Sequence, residues 1–240
     1  EPDNGRPFRD RLDFFAAYVH TVRKIRKFAP GTVVIGPSTQ KFDFGWLSEF
    51  LKVCKEYDVL PPILCWHEDG LKHDISGHVS GLGESFWQDG TNIKHVIISP
   101  NAAIDGKYNP GDPAIFLGQM ERSIKNNAFR RIEQDFEFKL THLFTNEQKP
   151  RAIFYTYQQY AAMAGAGAAV KVNASGTIDG VAVWNAKTRS GKLLLGRNRT
   201  RVDAKHVLGT ATLQLKGIAG TIAHLRAARL GDSGGRESSG

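Results

Sequence analysis

The chain has 240 residues, of which 41% are hydrophobic and 23% charged, and its formal net charge is +8 at pH 7. These values are typical of a folded globular protein and exclude a disordered or collagen-like chain, while two cysteines exclude a disulfide-rich scaffold. No apolar run reaches the roughly 18 residues of a membrane span, and the basic residues are scattered among acidic ones. We therefore expect neither a membrane nor a nucleic acid as partner.

The first two-thirds of the chain alternate between helical periodicity and short apolar strands. Apolar residues recur with helical spacing over residues 8–28 and 44–57. Strands rich in β-branched or apolar residues are predicted at 32–36 and 63–66. Strands that alternate with helices in this way predict βαβ units and a parallel sheet.

The same alternation continues through the middle of the chain. The pattern predicts a helix at 74–87, a strand at 94–98 and a helix at 112–127. Asp112 is the expected N-cap of the last of these helices, with Pro113 at its first position. No glycine-rich phosphate-binding loop follows any of the strands, which disfavours a dinucleotide-binding fold.

The last third of the chain has a different pattern. Short alternating segments at 170–172, 180–184, 192–195 and 211–215 are separated by Gly, Asn and Asp, which predicts a small antiparallel β domain over 168–228. The Gly/Ser-rich residues 229–240 are predicted to form a disordered tail. Residues 1–167 are then the first domain.

A Glu-Pro pair opens the chain, at Glu1-Pro2-Asp3-Asn4, without an initiator Met. At the end of a parallel strand such a glutamate serves general acid/base chemistry, because it protonates a leaving oxygen and later deprotonates water. On these residues alone a surface turn is the alternative. We expect the chain to be a piece of a longer protein.

Several motifs follow this pair in a characteristic order. They are Val34-Ile35-Gly36-Pro37-Ser38, Trp46-Leu47 with Phe50-Leu51, Cys65-Trp66-His67-Glu68, Asn109-Pro110-Gly111 before Met120-Glu121-Arg122, the run 154–165, and Asp179-Gly180-Val181-Ala182 before Leu194-Leu195-Gly196. Together they resemble the clan A (β/α)8 glycoside hydrolases, and most closely the family 39-like group of β-xylosidase-type proteins. The resemblance covers residues 1–196.

The resemblance implies an α/β fold: the C-terminal part of a (β/α)8 TIM barrel, strands 4 to 8, followed by a small antiparallel β-sandwich domain. Residues 32–36, 63–66 and 94–98 would be strands five, six and seven, and strand eight would lie near 129–133. Barrel strands one to three would precede Glu1. With its sheet edges and inner face uncovered, such a piece is expected to self-associate. We expect an extracellular or secreted location.

The resemblance also implies an activity, the retaining hydrolysis of β-linked glycosides. Glu1 would be the catalytic acid/base, and Asn4, Trp66, His67 and Glu68 would contact an oligosaccharide or glycoside substrate. Trp66 has core packing as its alternative. No cofactor and no metal are implied.

The chain departs from the family pattern at the nucleophile. The family has a glutamate just after strand seven, and Pro100 occupies that place here. The nearest acid is Asp105, and Arg130-Arg131 stands where the family places a sugar-stacking tryptophan. The alternative function is therefore a catalytically inactive glycosidase relic that at most binds carbohydrate.

Two other readings concern metal and sulfur chemistry. His67, Glu68, His73 and His78 lie close in sequence, but their spacing is not that of a zinc motif, so we expect no metal. Cys54 lies on an apolar helix face and is expected to be a buried free thiol, with a disulfide to Cys65 as the alternative. Sequons at Asn173 and Asn198 fit a secreted protein.

Overall fold

The computed structural model describes most of the chain between Pro2 and Arg197. The described residues are 2–4, 8–68, 74–88, 91, 93, 95–100, 111–126, 131–134, 143–173 and 178–197, with the short pieces 212–214, 216–217, 224, 226–229 and 236–238. The predictions for Glu1, His73, Asp105 and Arg130 fall outside them. The chain divides into two compact units, Glu1–Ala103 with Gln119–Glu137, and Ile104–Gly118 with Phe138–Gly240.

The first unit is an α/β unit built on a parallel sheet. Its elements are a 3-10 turn (Pro2–Asn4), α1 (Arg11–Phe28), β1 (Ile35–Thr39), α2 (Phe44–Glu56), β2 (Ile63–Glu68), α3 (Ile75–Gln88), β3 (His95–Pro100), the second part of α4 (Gly111–Asn126) and β4 (Arg131–Gln134). The four strands are parallel and lie in chain order, as the alternation predicted. A closed eight-stranded barrel stays a prediction.

Acidic caps explain where the first two helices begin. The Asp10 carboxylate accepts hydrogen bonds from the backbone N–H groups of Leu12 and Asp13, at 2.9 and 3.0 Å. The Asp43 carboxylate accepts one from Trp46 N–H at 3.0 Å. Each cap satisfies backbone donors that have no partner within the helix.

The first strand lies three residues later than predicted. The sequence pattern placed it at 32–36, whereas β1 spans Ile35–Thr39 and Val33 is 60% exposed. The predicted strand ended just before Pro37, because proline lacks the backbone N–H that a strand donates to its neighbour in a sheet. In the structure the register between β1 and β2 shifts between Pro37 and Thr39, an irregularity of the kind that accommodates proline.

The register of the sheet assigns its residues to two faces. Register partners on parallel neighbours share a face, and successive residues alternate. Gly36 lies on the face that meets α1, because a Cβ there would be 2.9 Å from the Tyr18 ring. We call this the helix face; it also carries Leu64, Trp66 and Glu68 of β2. The opposite face carries Ile35, which is 46% exposed, and His67.

Aromatic residues of α1 and α2 form much of the first unit's core. Phe15 packs edge-on against Trp46, with ring centroids 5.1 Å apart, and Tyr18 packs in the same way against Phe50 at 4.9 Å. Cys54 lies on the same side of α2 and is 1% exposed. Both cysteines are buried and neither forms a disulfide, so the buried thiol is confirmed for Cys54 and the disulfide alternative is wrong.

The buried thiol of Cys54 predicts a loss of stability at alkaline pH. Burial raises the pKa of Cys54 from 9.0 to about 12, so between these values the unfolded chain releases a proton that the folded chain keeps. The free energy of unfolding is therefore expected to fall above pH 9, by up to about 1.4 kcal/mol per pH unit. Burial also raises the pKa of Tyr18, which acts in the same direction. Urea unfolding from pH 8 to 11 measures this slope.

The matched variant for this measurement is Cys54→Ala, which removes the titrating group. The variant is expected to be less stable at pH 8, because a buried side chain is lost, but its stability should fall less steeply with pH. Equal slopes for the two proteins would contradict the prediction.

The second unit is built around an antiparallel sheet. Its elements are the first part of α4, α5 (Ala152–Ala161), β5 (Ala168–Val170), β6 (Ile178–Asn185), β7 (Ser190–Arg197), β8 (Ala227–Arg229) and β9 (Arg236–Ser238). Strands β5, β6 and β7 form one antiparallel sheet in that order, and β8 pairs with β9. Residues 212–214 are not in a strand, and β9 lies where a disordered tail was predicted. A β-sandwich stays a prediction.

The two compact units divide within α4, and the domain boundary predicted at residue 167 stays a prediction. Ala114 and Leu117 of α4 share a core with Met163, Val181 and Leu194, so these helical residues belong with the antiparallel sheet. The helix comes close to the sheet because of a glycine pair. A Cβ on Gly118 would lie 2.5 Å from the Gly180 carbonyl oxygen.

No helix in the described part of the chain is long and apolar enough to cross a membrane.

Candidate active site at the carboxyl edge of the parallel sheet

The carboxyl ends of β1, β2 and β3 lie side by side in the first unit. Thr39 is the register partner of Trp66, and Glu68 that of Pro100. His67 and Ser99 are partners on the opposite face. In parallel α/β folds this edge is where binding and catalytic side chains converge, because the loops after the strands meet there.

The turn at the start of the chain lies beside this edge. The Asp3 carboxylate accepts a hydrogen bond from Gln40 N–H at 2.7 Å, and Gln40 directly follows β1. Asn4 is the last residue of the same turn, and Glu1 immediately precedes it but lies outside the described residues. The structure therefore brings the backbone of the predicted site residue Asn4 to the edge that carries His67 and Glu68.

His67 is held by the backbone of the neighbouring strand. Its Nδ1 lies 2.7 Å from the Thr39 carbonyl oxygen, and its side chain is buried. Because a carbonyl oxygen accepts, Nδ1 is the donor, and a neutral His67 carries its proton on this nitrogen. The contact sets both the tautomer and the orientation of the ring at the edge of the sheet.

Glu68 is the most deeply buried acidic group of the edge, with 2% of the residue exposed. Its Oε1 accepts a hydrogen bond from Trp66 Nε1 at 3.1 Å and lies 2.5 Å from His78 Nδ1. Its Oε2 is buried and has no hydrogen-bond partner among the described residues. One oxygen of the carboxylate is thus fixed from two sides, while the other keeps its acceptor capacity unused.

Phe42 completes the group around Glu68. Its ring stacks on His78, with centroids 3.9 Å apart and planes 7° apart, and meets Trp66 edge-on at 5.6 Å. Trp66 is 0% exposed, so in this structure it presents no ring face to a sugar. We call Phe42, Trp66, Glu68 and His78 the Glu68 cluster.

Two members of this cluster were not predicted from the sequence as partners of Glu68. His78 was considered only as a zinc ligand, and Phe42 was not considered at all. The sequence signal for His78 is its position in the first turns of α3, the helix that directly follows β2. Its contact with Glu68 lies on the helix face of the sheet. Among the residues described, no group of three His, Cys, Asp or Glu side chains is placed to hold a metal ion.

Pro100 ends β3 directly beside Glu68. The described part of β3 therefore supplies no carboxyl group at the place where the resemblance expects a nucleophile. Asp105, the nearest acid in the sequence, lies outside the described residues. The edge has Glu68 as its buried carboxylate and Asp3 as the carboxylate of the turn.

Comparisons with known proteins show a likeness of fold. No protein-family model and no curated protein sequence matches the chain. Among solved structures it is similar to N2152 from Neocallimastix frontalis, with a TM-score of 0.64 and 24% identity, covering 76% of this chain and 47% of that one. A glucosidase from Croceicoccus marinus has a TM-score of 0.53 and 14% identity, covering 78% and 44%.

The chain thus spans less than half the length of both structures. At these identities the likeness shows the fold alone. The fold of this chain is similar to part of the fold of a glucosidase.

Proposed function

We propose that the chain is the C-terminal part of a (β/α)8 glycoside hydrolase-like protein that acts on β-linked glycosides at the carboxyl edge of the parallel sheet. The observation that supports this most directly is the position of the first turn, since Asp3 is hydrogen-bonded to Gln40 at the end of β1. Residues from the start of the chain and from the ends of three parallel strands thereby meet at one edge, as a strand-end active site requires.

The proposed roles follow from this arrangement. Glu1 is the acid/base, which protonates the leaving oxygen and then deprotonates water. His67 is oriented by its Nδ1 contact with the Thr39 carbonyl, and it contacts a sugar hydroxyl together with Asn4. We place this protein in the family 39-like group, with an oligosaccharide or glycoside as substrate, a small β-sandwich after the barrel and an extracellular location.

A second candidate function rests on Pro100. Proline cannot attack an anomeric carbon, so a protein that needs a carboxylate at this position has lost hydrolysis. On this alternative the chain is a glycosidase relic that at most binds carbohydrate through the same edge. The two candidates differ in turnover but not in the surface that contacts the sugar.

The test is hydrolysis of a panel of aryl β-glycosides, including xylosides and glucosides, by the longest natural chain that contains these residues. Wild type is compared with Glu1→Gln and with the control Glu49→Gln, whose carboxylate is on α2 and pairs with Arg11. The proposal expects turnover that falls by roughly 10²–10⁴-fold in Glu1→Gln and is unchanged in Glu49→Gln.

A folded wild-type protein without turnover would exclude the first candidate. Calorimetric titration of the same protein with xylo- and gluco-oligosaccharides then tests the second one. Binding that weakens in His67→Ala supports a relic that binds carbohydrate at this edge, and the absence of any binding heat removes both candidates.

A further inference from the structure

A pocket of about 360 Å³ lies at the amino edge of the parallel sheet. Its walls are one face of α1 and the segments directly before the strands, with Val34 before β1, residues 60–62 before β2 and Ile93 before β3. Because the strands are parallel, their amino ends meet at this edge, and the candidate active site lies at the other end of the strands, roughly 15 Å away. The pocket is therefore separate from the edge to which the proposed function assigns the sugar.

The face of α1 that lines the pocket has a polar residue at each end. Tyr18, Val22 and Arg26 follow one another at intervals of four residues, which places them in one row along the helix. Tyr18 and Arg26 are eight residues apart, so about 12 Å of helix separates their Cα atoms. Val22 lies between them and is 3% exposed. The row is thus apolar in its middle and polar at both ends.

Most of the remaining wall is apolar. Besides Thr32, the wall residues that come from outside α1 are Pro30, Val34, Leu60, Pro61, Pro62 and Ile93. Ligand pockets in proteins have volumes of roughly 300–1,000 Å³ and the same composition, with apolar walls and a few polar groups that orient the ligand. Water makes few hydrogen bonds to such walls, so an occupant with an apolar body displaces it favourably.

Arg26 gives the pocket a positive charge, and no acidic side chain lines it among the described residues. Arg26 Nη1 donates a hydrogen bond to the Asp58 carbonyl oxygen and lies 3.8 Å from the Asp58 carboxylate. That carboxylate is fully exposed to water, which weakens its attraction to the guanidinium. In the described part of the chain these contacts use Nη1 alone, and a guanidinium has further N–H donors in a planar fork that fits a carboxylate.

Tyr18 supplies an unsatisfied hydroxyl group at the other end of the row. The residue is 9% exposed, and its hydroxyl oxygen is buried without a hydrogen-bond partner among the described residues. Burial and the nearby Cys54 thiol raise the pKa of Tyr18, and the charge of Arg26 acts in the opposite direction, so the guanidinium is close enough to influence the phenol. Buried hydroxyl groups are rarely left unpaired, and an occupant with an oxygen at this end provides the partner.

We propose that this pocket binds a small carboxylic acid that has an apolar body and a second oxygen at the opposite end, with the size and shape of a hydroxyphenyl-alkanoate. The carboxylate pairs with Arg26, the body lies along Val22 and Val34, and the far oxygen forms a hydrogen bond with the Tyr18 hydroxyl. The binding is non-covalent. It goes beyond the proposed glycosidase function and does not depend on it.

The experiment is a ligand-observed NMR titration of the longest natural chain that contains these residues. The probes are 3-(4-hydroxyphenyl)propanoate, 3-phenylpropanoate, which lacks the far oxygen, and 3-(4-hydroxyphenyl)propan-1-ol, which lacks the charge. The first is expected to bind with a Kd of roughly 0.1–1 mM, as a molecule of about twelve non-hydrogen atoms allows. Loss of the far oxygen is expected to weaken binding roughly threefold and loss of the charge roughly tenfold, because a hydrogen bond to a charged group is the stronger one.

Two variants test the polar ends of the row. Arg26→Gln is expected to remove the preference for the acid over the alcohol. Lys24→Gln is its matched control, because Lys24 is exposed on the same helix and does not line the pocket. Tyr18→Phe keeps the ring and is expected to remove the preference for the hydroxylated acid over 3-phenylpropanoate. A purely structural role of either residue would not change such a difference between two probes.

A second pair of variants tests the place of binding. Val34→Phe fills the pocket and is expected to abolish the binding of all three probes. Val33→Phe is expected to keep the wild-type affinities, because Val33 is 60% exposed and does not line the pocket. Circular dichroism identifies the folded variants. If Val34→Phe does not fold, Arg26→Gln and Lys24→Gln decide the question, since both change exposed side chains.

Three results would overturn the inference. They are a folded wild-type chain that binds none of the probes at millimolar concentration, equal affinities for the acid and the alcohol, and binding that Arg26→Gln and a folded Val34→Phe leave unchanged. Turnover of aryl β-glycosides is measured separately, so its absence removes the proposed function and leaves this inference standing.

Discussion

Replacing Trp66 by alanine is expected to lower the free energy of unfolding by about 3–5 kcal/mol. The side chain is fully buried, and it packs edge-on against Phe42. Its indole N–H also donates to Glu68 Oε1, so the variant leaves a buried carboxylate with one donor fewer. Both losses act in the same direction, because a cavity and an under-satisfied buried charge each destabilise the folded state.

Trp66→Phe separates these two contributions. Phenylalanine keeps an aromatic ring in the site but has no N–H, so the hydrogen bond to Glu68 is lost with a smaller change in packing. Its expected cost is about 1–3 kcal/mol, below that of alanine. Phe28→Ala is the surface control, since Phe28 is 75% exposed, and is expected to be nearly neutral. Denaturant unfolding measures the free energy of unfolding of all three variants. An unchanged free energy for Trp66→Ala would contradict the burial of this residue.

Replacing Gly180 by alanine is expected to be the second most damaging change, at or above the upper end of the roughly 1–3 kcal/mol that overpacking costs. A Cβ at this position would lie 1.9 Å from the Leu194 carbonyl oxygen and 3.0 Å from Leu195 Cα. These are backbone atoms of β7, which cannot rotate away as a side chain can. The pairing of β6 with β7 must therefore open around the Gly180–Leu195 partners.

Gly81→Ala is the matched control for this change. Gly81 lies within α3 and has no atom within 4 Å of the position of a new Cβ, so alanine meets no obstacle there. Alanine favours a helix by about 1 kcal/mol over glycine, and the variant should gain up to that amount. Urea unfolding of the two variants is expected to give shifts of opposite sign. A stabilised Gly180→Ala protein would contradict the close approach of β6 and β7.

The departures from the expected family pattern have different consequences for function. Pro100 removes a carboxyl group from β3, but the neighbouring strand keeps one at the same level of the sheet. Trp66 and His67 are both buried in this structure. Whether turnover survives is what the panel of aryl β-glycosides measures.

Much of the local structure was predictable from the sequence. The helix predicted at 44–57 is found at Phe44–Glu56, and the strand predicted at 63–66 begins at Ile63 as expected. Helical periodicity and N-caps act within one or two turns, so a linear pattern contains the information that determines them. The shift of β1 to Ile35–Thr39 shows where prediction from local patterns fails. Whether a strand can contain Pro37 depends on how that strand pairs with β2.

The sequence by itself determined the order of helices and strands, the parallel pairing that their alternation requires, and the presence of proline at position 100. These properties depend on neighbours in the chain and on residue chemistry. The tertiary structure alone decided that Glu68 pairs with His78 and that Trp66 is buried. It also decided that part of α4 belongs with the antiparallel sheet. These contacts depend on the register between neighbouring strands and on which face of the sheet a helix covers. Both are determined by residues that are distant in sequence.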